Sequence, residues 1–164
     1  MKEKFMPAAV ISDIVKMNAR LKAKKVAEKL NSGVILGVDT LVLLGKKLIG
    51  KPRNKKEARL FLKRFSGRKI DVYTGLYIID KDRNKAIGGS EKSSLWVKRI
   101  RNDEIDKYLS HLGPFDKAGG FSIEGCGSII FDNIKGSYFN ILGLPMGKLS
   151  ELLKKIGLDI FDFI

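Results

Sequence analysis

Two segments rich in aliphatic and β-branched residues, VILGVDTLVLL at 34–44 and IDVYTGLYIID at 70–80, constrain the fold most. The first divides into VILGVDT and TLVLL, each too short for a helix, and both segments are dense in β-branched and aliphatic residues, so both predict strand. After TLVLL, GKK turns the chain back into LIG. The second is interrupted by Thr74-Gly75, which marks either a bulge or a backbone close to a ligand. SLWVKRI at 94–100 predicts a third strand, and GFSIEG and SIIFDNIKG short glycine-flanked ones.

Helical periodicity fills the intervals. Residues 12–30 repeat Val15, Ala19, Ala23, Val26, Ala27 and Leu30 behind a Ser12 cap, and Asn31-Ser32-Gly33 stops the run. Residues 54–65 have Asn54 as cap, Glu57 three residues on in capping-box fashion, and a stripe of Ala58, Phe61, Leu62 and Phe65. Asn102 caps a third helix, with Ile105, Tyr108, Leu109 and Leu112 on one face, and MGKLSELLKKIG predicts the last. Strands and helices alternate without strict βαβ order, which predicts an α/β fold with a mixed sheet. The 164 residues suit a single domain over 1–164.

Composition narrows the function classes. One cysteine, Cys126, excludes an internal disulfide and most thiolate metal sites, and the expected setting is a reducing cytoplasm. Cys126 itself is expected to be a small buried residue. No apolar run reaches the ~20 residues of a membrane span, and MKEKFMPAAVISD lacks the apolar core of a signal peptide. The net charge of +14 is one-sided: residues 1–70 hold 19 basic and 5 acidic side chains, and the remainder 13 of each. Such asymmetry suits a polyanionic partner, a phosphorylated small molecule or nucleic acid, or else simply lysine-rich, solvated helix faces.

Asp39 interrupts an apolar strand, where an unpartnered carboxylate is costly, so it must meet a cation, a metal or an open site. Lys51, held between Gly50 and Pro52, sits at the other end of the predicted hairpin. The two either form an ion pair across that hairpin or share a pocket suited to magnesium and phosphate. Asp116-Lys117 precedes Ala118-Gly119-Gly120, glycines that admit an anion to the backbone or simply turn the chain. Glu124 lies in another glycine-flanked stretch, and His111, the only histidine, falls at an exposed helix end.

Together, GVDTLV, GKP with EA five residues on, SGR before VYTG, DKAGGFSIEGCG and GSYFNILGLP resemble the Maf family of nucleoside-triphosphate pyrophosphatases over about residues 15–157. The resemblance implies a Maf/inosine-triphosphatase-like fold, a mixed twisted sheet with flanking helices and a central cleft, and often a homodimer. It implies hydrolysis between the α and β phosphates with a divalent cation, magnesium or manganese, and GSYFNILGLP points to the branch preferring dTTP or UTP. On the family pattern Asp39 is the proton acceptor and a metal ligand, and Thr40 and Glu124 fall at substrate-discriminating positions. Lys51, Lys117 and Lys22 match lysines expected at the phosphates. No segment matches the family's Ser-x-Ser-Pro-Arg-Arg loop or its upstream metal carboxylate, Ile70 replaces a common histidine, and Asn54 a usual aspartate. A start upstream of Met1 or a short form of the enzyme accounts for the missing loop. The short form gives the alternative expectation, a weak or inactive relative that binds nucleotides or nucleic acid.

Overall fold

The computed structural model describes residues 7–111 and 117–164, and within these the chain forms two compact units. The sheet has five strands in the order β2-β1-β3-β4-β5. These are β1 (Val34–Leu44), β2 (Lys47–Ile49), β3 (Lys69–Asp80), β4 (Lys85–Val97) and β5 (Phe131–Lys135), and β1, β3 and β4 each contribute residues to both units. β1–β2 and β4–β5 pair antiparallel. For β1 and β3 the direction follows from two contacts. Lys81 N donates to Gly33 O at one end, and the Thr40 and Thr74 hydroxyls meet further along. Partner numbers therefore fall on one strand as they rise on the other. The expected α/β fold with flanking helices is present, and "mixed" narrows to antiparallel at these pairings.

One unit comprises residues 7–40, 73–92 and 137–164. Its first helix, α1 (Ala8–Ala27), buries Ile11, Val15, Ala19 and Ala23, one residue per turn. The helix starts at Pro7 rather than Ser12, because the buried stripe extends back to Ile11 and proline is tolerated where amides need no partner. It stops at Ala27, earlier than predicted, where Lys81 Nζ donates to the carbonyls of Ala27 and Leu30 and satisfies the helix end. Two glycines let α1 approach the sheet. A Cβ on Gly37 would lie 2.1 Å from Ala19 O, and one on Gly75 2.2 Å from Val15 C. At Thr74-Gly75 β3 continues unbroken, and Gly75 makes room for a helix backbone. On the other face, α5 (Met146–Lys155) packs Leu149, Leu152 and Leu153 against Leu76 and Ile78. Ahead of it lies α4 (Tyr138–Leu142), with Ser137 as its cap and Asn140 fully buried.

The other unit holds residues 41–72, 93–111 and 117–136 among those described. Its hairpin pairs Val42 with Ile49 around Gly45, whose φ of 61° suits glycine. Helix α2 (Lys55–Phe65) is as the sequence predicts: Asn54 Oδ1 accepts from Glu57 N, and Ala58, Leu62 and Phe65 are buried. The Glu57 carboxylate reaches one residue further back than a capping box requires, to Arg53 N. Helix α3 (Asn102–His111) packs on α2, joined by a two-pronged Arg59–Asp106 pair at 2.6 and 3.1 Å. The predicted face member Leu112 lies outside the described residues. GFSIEG is irregular chain, and 3-10 turns run at Ala118–Gly120 and Gly125–Ile130. Phe65, Phe121 and Phe131 stack edge to face beneath them.

Candidate active site

Side chains alternate along β1, so Ile35, Gly37 and Asp39 share the face that meets α1. Because Gly37 brings the helix close, Asn18 and Lys22, one turn apart, reach Asp39. Asn18 Nδ2 donates to Asp39 Oδ2 at 2.9 Å, and Lys22 Nζ to Oδ1 at 2.6 Å and to Val38 O at 2.9 Å. The Asp39 side chain keeps 15% of its surface exposed, and that of Lys22 58%. The cation that Asp39 was expected to need is therefore on α1: its ion pair is with Lys22, not with Lys51 across the hairpin. Asn18 was missed by sequence reading. Its only local signal is its place four residues before Lys22, flanking the Ala19–Ala23 stripe.

Thr40 points to the opposite face, toward α4. Thr74 Oγ1 donates its single proton to Asn140 O at 3.2 Å, so in the 2.9 Å Thr40–Thr74 contact Thr40 is the donor. The Thr40 hydroxyl also sits 3.6 Å from where a Gly143 Cβ would stand. That is ordinary contact, and it is the φ of 102° at Gly143 that favours glycine there.

In the other unit the segments bearing Lys51 and Lys117 are tied together. Gly119 N donates to Gly50 O at 3.0 Å, and a Cβ on Gly120 would lie 2.7 Å from Pro52 Cγ. Gly119 and Gly120 have φ of 79° and 66°. Gly120 thus makes room for Pro52 and Gly119 for the Phe121 ring, and two lysines ride on the joined loops. Lys51 is exposed and makes no ion pair among the described residues. Lys117 Nζ lies 3.3 Å from Glu124 Oε2, with both side chains more than half exposed. Such a pair is worth little in water and yields readily to a more highly charged anion. Glu124 is exposed and immediately precedes a 3-10 turn, its side chain making no cap bond, rather than riding the short strand expected for GFSIEG. Asp116 lies outside the described residues.

The donor set does not make a metal cage. Both Asp39 oxygens are engaged by Asn18 and Lys22, and no group of three His, Cys, Asp or Glu among the described residues could hold an ion. Cys126 is exposed, not buried, because the 3-10 turn 125–130 directs Gly127 and Ile130 inward and leaves 126 outside. His111 is exposed at the end of α3, its Nδ1 2.8 Å from Lys107 O. No helix among the described residues is long and apolar enough to cross a membrane.

The sequence profile of a family described as Maf-like protein matches residues 1–156. A protein of Methanosarcina barkeri named dTTP/UTP pyrophosphatase is 38% identical over 141 residues, covering 86% of this chain and 72% of that one. Proteins of the same name from Dictyoglomus thermophilum (35%, covering 90% and 77%) and Caldicellulosiruptor bescii (38%, covering 92% and 77%) are similarly related. The match runs through the strand carrying Asp39 and the loops carrying Lys51 and Lys117, and on this extent and identity the chain belongs to the Maf-like family.

Proposed function

We propose that this protein hydrolyses dTTP or UTP to the nucleoside monophosphate and pyrophosphate. The observation that carries the reading is the Asp39 carboxylate, partly exposed and held by one amide and one ammonium. The shared name of the relatives supports the choice of substrate. In the proposed reaction Asp39 accepts a proton from water as the water oxygen bonds to the α phosphorus. The bond from that phosphorus to the bridging oxygen breaks, and its electron pair leaves with pyrophosphate. A carboxylate has about four lone-pair sites, so with two occupied Asp39 still has room for the water. Lys22 has three N–H donors, two of which are used, and the third is offered to a phosphate oxygen. On the joined loops of the other unit, Lys51 and Lys117 are the cations assigned to phosphate, and Lys117 would exchange Glu124 for that anion. Thr40 and Glu124 are assigned to substrate discrimination. The divalent cation, magnesium or manganese, is assigned to the substrate's own phosphate oxygens, where it would offset their charge.

The test is product analysis by phosphorus NMR with dTTP and UTP, alongside the Asp39→Asn variant. Monophosphate and pyrophosphate are expected, with turnover reduced about 10²–10⁴-fold in the variant. Release of orthophosphate, or full activity in a folded Asp39→Asn protein, sinks the mechanism.

A further inference from the structure

Outside these residues, the unit that carries α2 and α3 has a cavity of about 530 Å³, within the usual range for small-molecule sites. It lies between the end of β4, α3 and the turn 125–130. Its walls are apolar: Ile100, Ile129, Ile130 and the ring of Tyr108. Ile129 is 67% exposed and adds apolar surface to this hollow. Lys98, Arg99 and Lys107 stand at the rim and make no ion pair among the described residues. The one acidic lining residue, Glu104, is paired to Arg101 at 2.9 Å. The Tyr108 hydroxyl is turned away to Gly127 O at 3.0 Å, and burial pushes it up to about 12, so it adds no charge. Three cations with no ion pair among the described residues, around an apolar hollow, suit an anion with an apolar body.

We propose that this cavity binds a small amphipathic anion, its apolar body against Ile129 and Tyr108 and a phosphate or carboxylate head at Lys98, Arg99 and Lys107. The chemistry is shared by a nucleoside monophosphate and an alkyl phosphate. Cys126, the only cysteine, is exposed on the cavity wall and reports occupancy without being part of the head-group site.

The test is the rate of Cys126 alkylation by iodoacetamide, which is uncharged, followed by intact mass. Ligands are UMP, octyl phosphate and inorganic phosphate. One of the two organic probes, at ten times its dissociation constant, should slow alkylation about tenfold by mass action. Protection by UMP identifies a nucleotide, and protection by octyl phosphate alone an alkyl or acyl anion. Lys98→Glu with Arg99→Glu should raise the concentration needed by on the order of tenfold per lost contact. Both residues are exposed, and an unchanged melting curve shows the variant folded. Ile129→Asp supplies an independent loss through the apolar wall. The proposal is overturned if neither organic probe protects at millimolar concentration, if inorganic phosphate protects equally well, or if the folded charge variant is protected like the parent.

Discussion

Gly37→Ala tests the link between packing and chemistry. The added Cβ would stand 2.1 Å from Ala19 O, 2.8 Å from Ala23 N and 2.9 Å from Ala23 Cβ, where ordinary contact begins at 3.4 Å. Relief requires α1 and β1 to part by about 1.3 Å, because the nearest atoms are helix backbone that cannot rotate aside. The same displacement stretches the 2.9 Å Asn18–Asp39 bond to about 4.2 Å, beyond hydrogen bonding. Overpacking of this kind costs about 3 kcal/mol at the upper end, offset by about 0.5–1 kcal/mol from replacing a strand glycine. The net loss of about 2 kcal/mol should lower Tm by about 4–8 °C for a chain of this size. Misplacement by about 1 Å at a reacting group reduces turnover by up to about a hundredfold, so activity should fall well below what the remaining folded fraction explains. Circular dichroism melting and pyrophosphate release, both at a temperature where the variant is folded, measure the two effects. A Tm within about 1 °C of the parent with unchanged turnover would refute the reasoning, because α1 then need not sit where Gly37 lets it.

Two further outcomes follow from α5. Glu151 bonds Lys148 at 2.5 Å and Lys155 at 2.6 Å, and these contacts hold its carboxyl down at about 2, from 4.5. A depressed carboxyl stabilises fully above its unfolded value and loses that contribution as pH falls through its folded one. Glu151→Gln should therefore lower Tm near neutrality, with the gap closing between about pH 4.5 and 2; a gap constant with pH in thermal melts would contradict the pairing. Gly147→Ala places a methyl in open space at the second residue of α5 and should raise Tm by about 1–4 °C, from a gain of about 0.4–1 kcal/mol.

What could be read from the sequence was what neighbours in the chain decide. Asn54 and Glu57 mark the start of α2 because a cap acts within one turn. The β1–β2 hairpin was equally plain, since Gly45 and the aliphatic run on each side settle it locally. The first nine residues of β4, KAIGGSEKS, were not read as strand: their glycines and charges carry no apolar alternation, and only hydrogen bonding in the sheet makes them extended. Ser12 was an attractive cap, yet the true helix start is set by burial of Ile11, a tertiary fact. The same holds at the candidate site. Asp39 announced itself by its cost in an apolar strand, but Asn18 depends on how closely α1 can lie, which rests on the missing side chain at Gly37. Cys126 was expected inside on residue preference alone, and the facing of one short turn puts it outside.

The strand order leaves β2 and β5 at the two edges of the sheet, and both are poor templates for another chain. β2 has only three residues, carries Lys47, and is soon followed by Pro52, which has no amide to donate. In β5 the amide of Ile134 is taken by the side chain of its own neighbour, Asn133 Oδ1 at 2.8 Å, and Asp132 and Lys135 put charge at both ends. A passing strand would find few free donors at either border and a lysine at each. Just beyond β2 the Gly50–Pro52 chain is itself covered, since Gly119 N bonds Gly50 O and Gly120 lies against the Pro52 ring, so the loop that lies on it also helps keep this sheet from growing into a neighbour's.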